Sequence, residues 1–222
     1  MLKPSRKILR KEIKKDPFLE TFEKIENGFA KNRKIISNGL FFFVAIIIAG
    51  SILINNQNQI ELESSSAFGA ALVAYSNSDY DNAKFQFETV SSNYEGTKSE
   101  NFSNYYLGKI AYEQGDFNRA KFLLNDFLDN TEEATFVSGA IKQLVDISFN
   151  ENDFLKSLDI IAKVKKFDIN EVSKLDLKLL EINTFIKIND FQSAKNEIRK
   201  ILKKKKIPSY VKQKIDEFEG IL

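Results

Sequence analysis

"EQGDFNRAKFLL", residues 113–124, decides the fold. Gly115 and Asp116 interrupt what otherwise reads as two helices, and Phe117 opens the second. The phrase returns in altered form as "NSDYDNAKFQF" at 77–87, "NENDFLKSLDII" at 150–161 and "KINDFQSAKNEI" at 187–198. Its aromatics are Tyr80, Phe117, Phe154 and Phe191, and each step (117 − 80, 154 − 117, 191 − 154) is 37 residues. A fixed period in this range is the signature of a solenoid. The preceding acids keep phase (Asp79, Asp116, Asp153, Asp190), and so do the small residues three positions on (Ala83, Ala120, Ser157, Ala194). Phe87, Leu124, Ile161 and Ile198 follow, then Val90, Phe127, Val164 and Ile201, and together these offsets trace one face of a helix. Each Asp suits the N-cap of that helix, where its carboxylate accepts an orphan backbone N–H.

The chain has 222 residues, is 43% hydrophobic and contains neither Cys nor His. Disulfide, thiolate and imidazole chemistry are therefore excluded, as is a lipid-modified N-terminal Cys. Net charge is +2 but unevenly placed: residues 1–35 hold 11 Lys/Arg against 5 Asp/Glu, and the remainder 22 against 26. Residues 35–54, "IISNGLFFFVAIIIAGSILI", carry no charge. At about 1.5 Å per residue they span roughly the 30 Å hydrocarbon core. The competing readings are a buried soluble helix and a cleaved signal peptide. A signal peptide should be shorter, with a small-residue cleavage site behind it, whereas "NNQNQIELE" follows here, so the run reads as an uncleaved anchor. Lys31, Arg33 and Lys34 flank it on one side and Glu61 and Glu63 on the other. The positive-inside rule then puts residues 1–34 in the cytoplasm and the rest across the membrane.

The expected organisation follows. Residues 1–34 form a basic cytoplasmic tail, and 16–34 read as an amphipathic helix. In it Phe18, Phe22, Ile25 and Phe29 make one apolar stripe, which fits either an interfacial helix or a cytoplasmic extension of the anchor. Residues 35–54 are the transmembrane anchor, 55–63 a short polar linker and 64–222 the repeat domain. Pro208 starts a last helix whose Val211, Ile215, Phe218 and Leu222 form a stripe able to close the end of a solenoid. The fold class is all-α: about four helix pairs and a C-terminal capping helix, preceded by one transmembrane helix.

The segment "NYYLGKIAYEQGDFNRAKFLLNDFLDN", 104–130, resembles a tetratricopeptide repeat at Leu107, Gly108, Tyr112, Gly115, Asp116, Phe117, Ala120 and Phe127. Gly108 and Ala120 lack bulk where two antiparallel helices approach, and Phe117 and Leu124 are expected to fill the space between them. The other copies are looser, with Ala71, Val145 and Ile182 where Gly108 stands, and the third and fourth repeats are expected to pack less closely. The layout of basic start, anchor and repeats resembles bacterial envelope proteins of the ancillary Sec-translocon subunit type. That resemblance implies a periplasmic scaffold or chaperone-docking subunit at the inner membrane. Its implied partners are proteins, with the translocon or a periplasmic chaperone as candidates, and membrane lipid. It implies no cofactor, no metal, no nucleic acid and no small-molecule substrate.

The once-per-repeat Asp residues read as caps rather than as a catalytic or metal cluster. The nine glycines form no phosphate loop. "RKILKKKK", 199–206, could bind an anion but also suits a solvated helix C-terminus. Two rival classes remain: a cell-wall enzyme working through carboxylates, and a single-pass sensor signalling through its basic tail. In the resembling family the first helix of each pair lines the binding groove. Carried onto this chain, that face holds Tyr75, Tyr112, Phe149 and Ile186; Leu72, Lys109, Asp146 and Asn183; and Phe68, Tyr105, Lys142 and Leu179, with Phe102 alongside. Aromatic anchors beside charges are what a peptide or protein groove requires.

Overall fold

The computed structural model describes residues 31–222, of which the side chain of Ile36 is excepted. Expectations for residues 1–30, the tail and most of the amphipathic stripe among them, lie outside the described residues. The chain forms two units, Met1–Gln57 and Asn58–Leu222. Every element among the described residues is helical.

In the first unit the described chain is the beginning of α1, Arg33–Ser76. Among the described residues α1 is the one helix long and apolar enough to cross a membrane. Its apolar side chains do not form a core: Phe41 is 72% and Ile46 69% exposed. Such exposure is unlike the core helix of a soluble domain, which hides its apolar run. Residues 55–63, expected as a linker, are continuous helix within α1. They contain neither Gly nor Pro to break it, and the polar run changes what the helix faces rather than its backbone.

In the second unit, the end of α1 starts a regular series. α2 is Tyr80–Asn93, α3 Lys98–Glu113, α4 Phe117–Asn130, α5 Val137–Asn150 and α6 Phe154–Ala162. The last of these runs into a 3₁₀ turn, Lys163–Lys166. α7 is Glu171–Lys187, α8 Phe191–Leu202 and α9 Ser209–Glu219. The pairs are thus α1/α2, which share the core of Ala71, Ala74, Ala83 and Phe87, and α3/α4, α5/α6 and α7/α8, with α9 packed on α7.

Within each pair one turn recurs. Ser78, Gly115, Asn152 and Asn189, each two residues before the repeat aromatic, have φ of 62°, 76°, 57° and 60°. The N–H of each bonds the carbonyl three residues back (Gly115 to Tyr112, 3.0 Å), and the next N–H bonds five back (Asp116 to Ala111, 2.9 Å). This is a Schellman closure, which satisfies carbonyls stranded at the helix end. The residue that completes it is also the N-cap of the next helix: Asp79, Asp116, Asp153 and Asp190 accept from the backbone N–H of Asn82, Arg119, Lys156 and Ser193. Asp-aromatic recurs because one residue ends one helix and begins another.

The core follows the predicted face. Ala83, Ala120, Ser157 and Ala194 are fully buried, and Phe87, Leu124, Ile161 and Ile198 nearly so. A Cβ on Gly108 would stand 2.9 Å from Leu124 Cγ, so only glycine permits this spacing of α3 and α4. Phe117 departs from expectation. It is only half-buried, and Tyr80 and Phe191 are each 41% exposed. As the first residue of its helix, the aromatic sits at the hairpin tip and packs on the ring five residues earlier: Tyr75–Tyr80 at 5.3 Å, Tyr112–Phe117 at 5.9 Å, Phe149–Phe154 at 5.3 Å. Pro208 N-caps α9, and Val211, Ile215 and Phe218 bury their stripe against Ile182, Ile186 and Ile198.

Candidate functional site: a cleft across three first helices and the closing helix

The residues expected on the first-helix face divide into two groups. Phe68, Leu72, Tyr75, Phe102, Tyr105 and Lys109 gather around the first two repeats. Phe68 packs on Phe87 (5.7 Å between ring centroids) and Phe102 (5.9 Å), and with Leu72 and Tyr75 it covers the core of the first pair. Tyr105 is 8% exposed. It stacks on Phe136 at 4.8 Å and reaches Phe127 at 5.3 Å, so its ring is core rather than open surface. Burial raises its pKa above the ordinary phenol value. A glycine at 139 admits it, since a Cβ there would stand 2.6 Å from the hydroxyl. Lys109 lies 5.2 Å over the Tyr75 ring. Tyr75 is also the main cause of a raised Lys109 pKa, against partial burial.

Tyr112, Lys142, Asp146 and Phe149 converge on a cleft of about 620 Å³. α3, α5, α7 and α9 each contribute to it. Leu179 and Asn183, the equivalents in the fourth repeat, also line it, and Val145, Leu180 and Phe218 make much of its floor apolar. The sequence reading did not select Asp176, Tyr210 or Lys214, which line it too.

A polar ladder runs through this cleft. The Tyr112 hydroxyl donates to Asp146, Lys142 Nζ donates to Asp176, and the Tyr210 hydroxyl donates to Asp176 at 2.8 Å. Each bond joins residues 34 apart, not the 37 of the repeat. Neighbouring first helices are therefore staggered by about one helical turn, since 37 − 34 is 3. Paired Tyr or Lys and Asp at that separation is the signal that would have revealed Asp176 and Tyr210. Asp146 pushes the Tyr112 pKa up to about 12, with burial adding to the shift. Burial first, then the bond to Asp176, raises Tyr210.

Both carboxylates thus act as acceptors from neighbouring helices, and the arrangement suits binding. Each capping Asp accepts a backbone N–H, and among the described residues no three acidic side chains cluster to hold a metal. An apolar floor lined also by an amide (Asn183) and by anchored Lys, Asp and Tyr groups can take a segment of protein with apolar side chains. None of the curated proteins compared with the chain matches it. The model of one family, described as a tetratricopeptide repeat-like domain, matches residues 28–178, and the Schellman–Asp turns, the Gly108 contact and the paired helices agree with it. The chain belongs to the tetratricopeptide repeat-like domain family.

Proposed function

We propose that this protein is a membrane-anchored protein-interaction scaffold whose second unit receives a partner in the cleft across α3, α5, α7 and α9. The carrying observation is the cleft itself: three successive first helices bring Tyr112, Lys142, Asp146, Phe149, Leu179 and Asn183 to one apolar-floored surface, and α9 adds a fourth wall. Domains of this family generally mediate protein–protein contacts rather than catalysis. The exposed apolar run at the start of α1 supports anchoring in lipid, and the family match takes in that run together with the repeats. The flanking charge supports a cytoplasmic N-terminus and an external repeat unit. In a bacterium the corresponding compartment is the periplasm, and the inner-membrane translocon or its chaperones are the partners proposed.

Two measurements test this. Asn183→Arg fills the cleft with a long cation at a half-exposed site. Chemical cross-linking in intact membranes should give a partner adduct for the natural chain and lose most of it for this variant, with the melting temperature unchanged. An equal adduct yield would remove the cleft as the docking site. A periplasm-active reporter fused after Leu222 should be active and the same reporter after residue 15 silent. The reverse pattern would overturn the location.

A further inference from the structure

A second recess lies between α6, α7 and α8, with a volume of about 370 Å³. Its floor is apolar: Ile161, Leu175, Leu177 and Ile201 are all at most 5% exposed, and Leu158 joins them at the edge. Lys165, Lys174, Lys200 and Lys204 stand around it. Two carboxylates also line it, and both are already engaged. Glu197 is held by Lys178 at 2.9 Å and Lys200 at 2.6 Å, and Glu181 by Lys178 at 2.5 Å. Lys174 and Lys204 both pair with Glu171 at the rim.

Lys178 and Lys200 thus balance Glu181 and Glu197, Lys174 and Lys204 balance Asp168 and Glu171, and the surplus is cationic. Lys165 and Lys166 on the 3₁₀ turn, and Lys203, Lys205 and Lys206 after α8, make no ion pair among the described residues. Lysines at helix C-termini are ordinarily explained by the negative end of the helix dipole. That explanation needs no recessed apolar floor, and here one lies between the two basic turns. Cations around a concave apolar slot complement a segment bearing both carboxylates and apolar side chains.

We propose that the recess between α6, α7 and α8 is a second docking site, which takes an acidic, apolar-anchored peptide segment of a partner protein. The site is separate from the cleft of the first helices and stands or falls independently of it. An anionic lipid surface would share the charge complementarity, but a bilayer is flat and cannot fill a slot recessed between helices.

The full chain in nanodiscs of zwitterionic lipid can be titrated with a fluorescein-labelled synthetic peptide of Leu and Glu, the Leu residues spaced i, i+4, with anisotropy as the readout. Binding is expected, and it should weaken at least about tenfold when Glu in the peptide becomes Gln or Leu becomes Ser. Lys165→Glu combined with Lys204→Glu should weaken it by at least as much at an unchanged melting temperature. Asn183→Arg should leave it intact. The proposal is overturned by absence of binding, by equal binding of the Ser-substituted peptide, or by peptide binding that survives the double charge reversal. It is equally overturned if that reversal abolishes only the capture of phosphatidylglycerol vesicles, which would make the basic turns a lipid contact.

Discussion

Ser157 occupies the position that is Ala83, Ala120 and Ala194 in the other repeats. It is fully buried, and its hydroxyl has no hydrogen-bond partner among the described residues. A buried polar group left unpaired costs about 1–3 kcal/mol. Ser157→Ala removes that cost without adding volume, so it should raise stability by about 1 kcal/mol or more, read as a higher urea midpoint at unchanged slope. A lower midpoint would mean that the hydroxyl is satisfied in solution. Tyr112 makes a different kind of prediction. Its hydroxyl donates to Asp146, and its folded pKa of about 12 lies above the unfolded phenol value near 10. Below pH ~10 both states carry the proton, and the bond's contribution is fully present. Between about 10 and 12 the unfolded chain loses the proton first, so the contribution falls as pH rises. The melting temperature of the natural chain should exceed that of Tyr112→Phe near pH 8, and the gap should close near pH 12. A constant gap would show that the ring, not the hydroxyl, matters.

At the scale of the element, the two-helix turn carries the most information, and it was also the most legible part. Asp, aromatic, small and apolar positions in phase announced the second helix of every pair, because capping and burial are local demands that each copy meets in the same way. Asp116→Ala should cost about 0.5–2 kcal/mol. Ser78, a non-glycine in left-handed backbone (φ 62°), gives the opposite sign: Ser78→Gly should stabilise by up to about 1 kcal/mol, since L residues pay about 1–2 kcal/mol there. Thermal unfolding of both variants checks the pair, and a stabilised Asp116→Ala would remove the cap argument. The first helices were less legible. Equal phase placed Tyr105 and Lys142 together, yet Tyr105 is buried against Phe136 while Lys142 reaches Asp176 in the cleft. What separates them is Phe136, in the connection between repeats, where the copies differ, and no periodic pattern registers such a residue. The one-turn stagger was hidden for the same reason. It is a relation between repeats, and a comparison of aligned copies sees only what lies within one. Continuity of α1 through 55–63 escaped notice because polar composition was read as a change of backbone, although a helix can carry polar residues wherever its surroundings are wet.

For the second unit as a whole, each repeat buries its apolar face on a neighbour, so stability is distributed along the series and its ends are the vulnerable places. α9 is the closing element. Val211, Ile215 and Phe218 are at most 5% exposed and pack with Ile182, Ile186, Ala194 and Ile198. Tyr210 adds the last rung of the cleft ladder, so the same helix that closes the core also completes the candidate binding surface. Burying a Val, Ile or Phe side chain is worth about 1.5–3 kcal/mol. Truncation after residue 207 therefore removes several kcal/mol from the fourth pair and bares Ile182 and Ile186. Because coupling passes only between neighbours, the loss should stay local. Hydrogen exchange of the full chain and of the truncated chain should show protection falling steeply in α7 and α8, less in α5 and α6, and little in α2–α4. Partner cross-linking should fall with it, since the cleft loses one wall. Uniform loss of protection from α2 to α8 would instead mark the unit as a single cooperative block, and protection unchanged in α7 and α8 would show that α9 does not close the core.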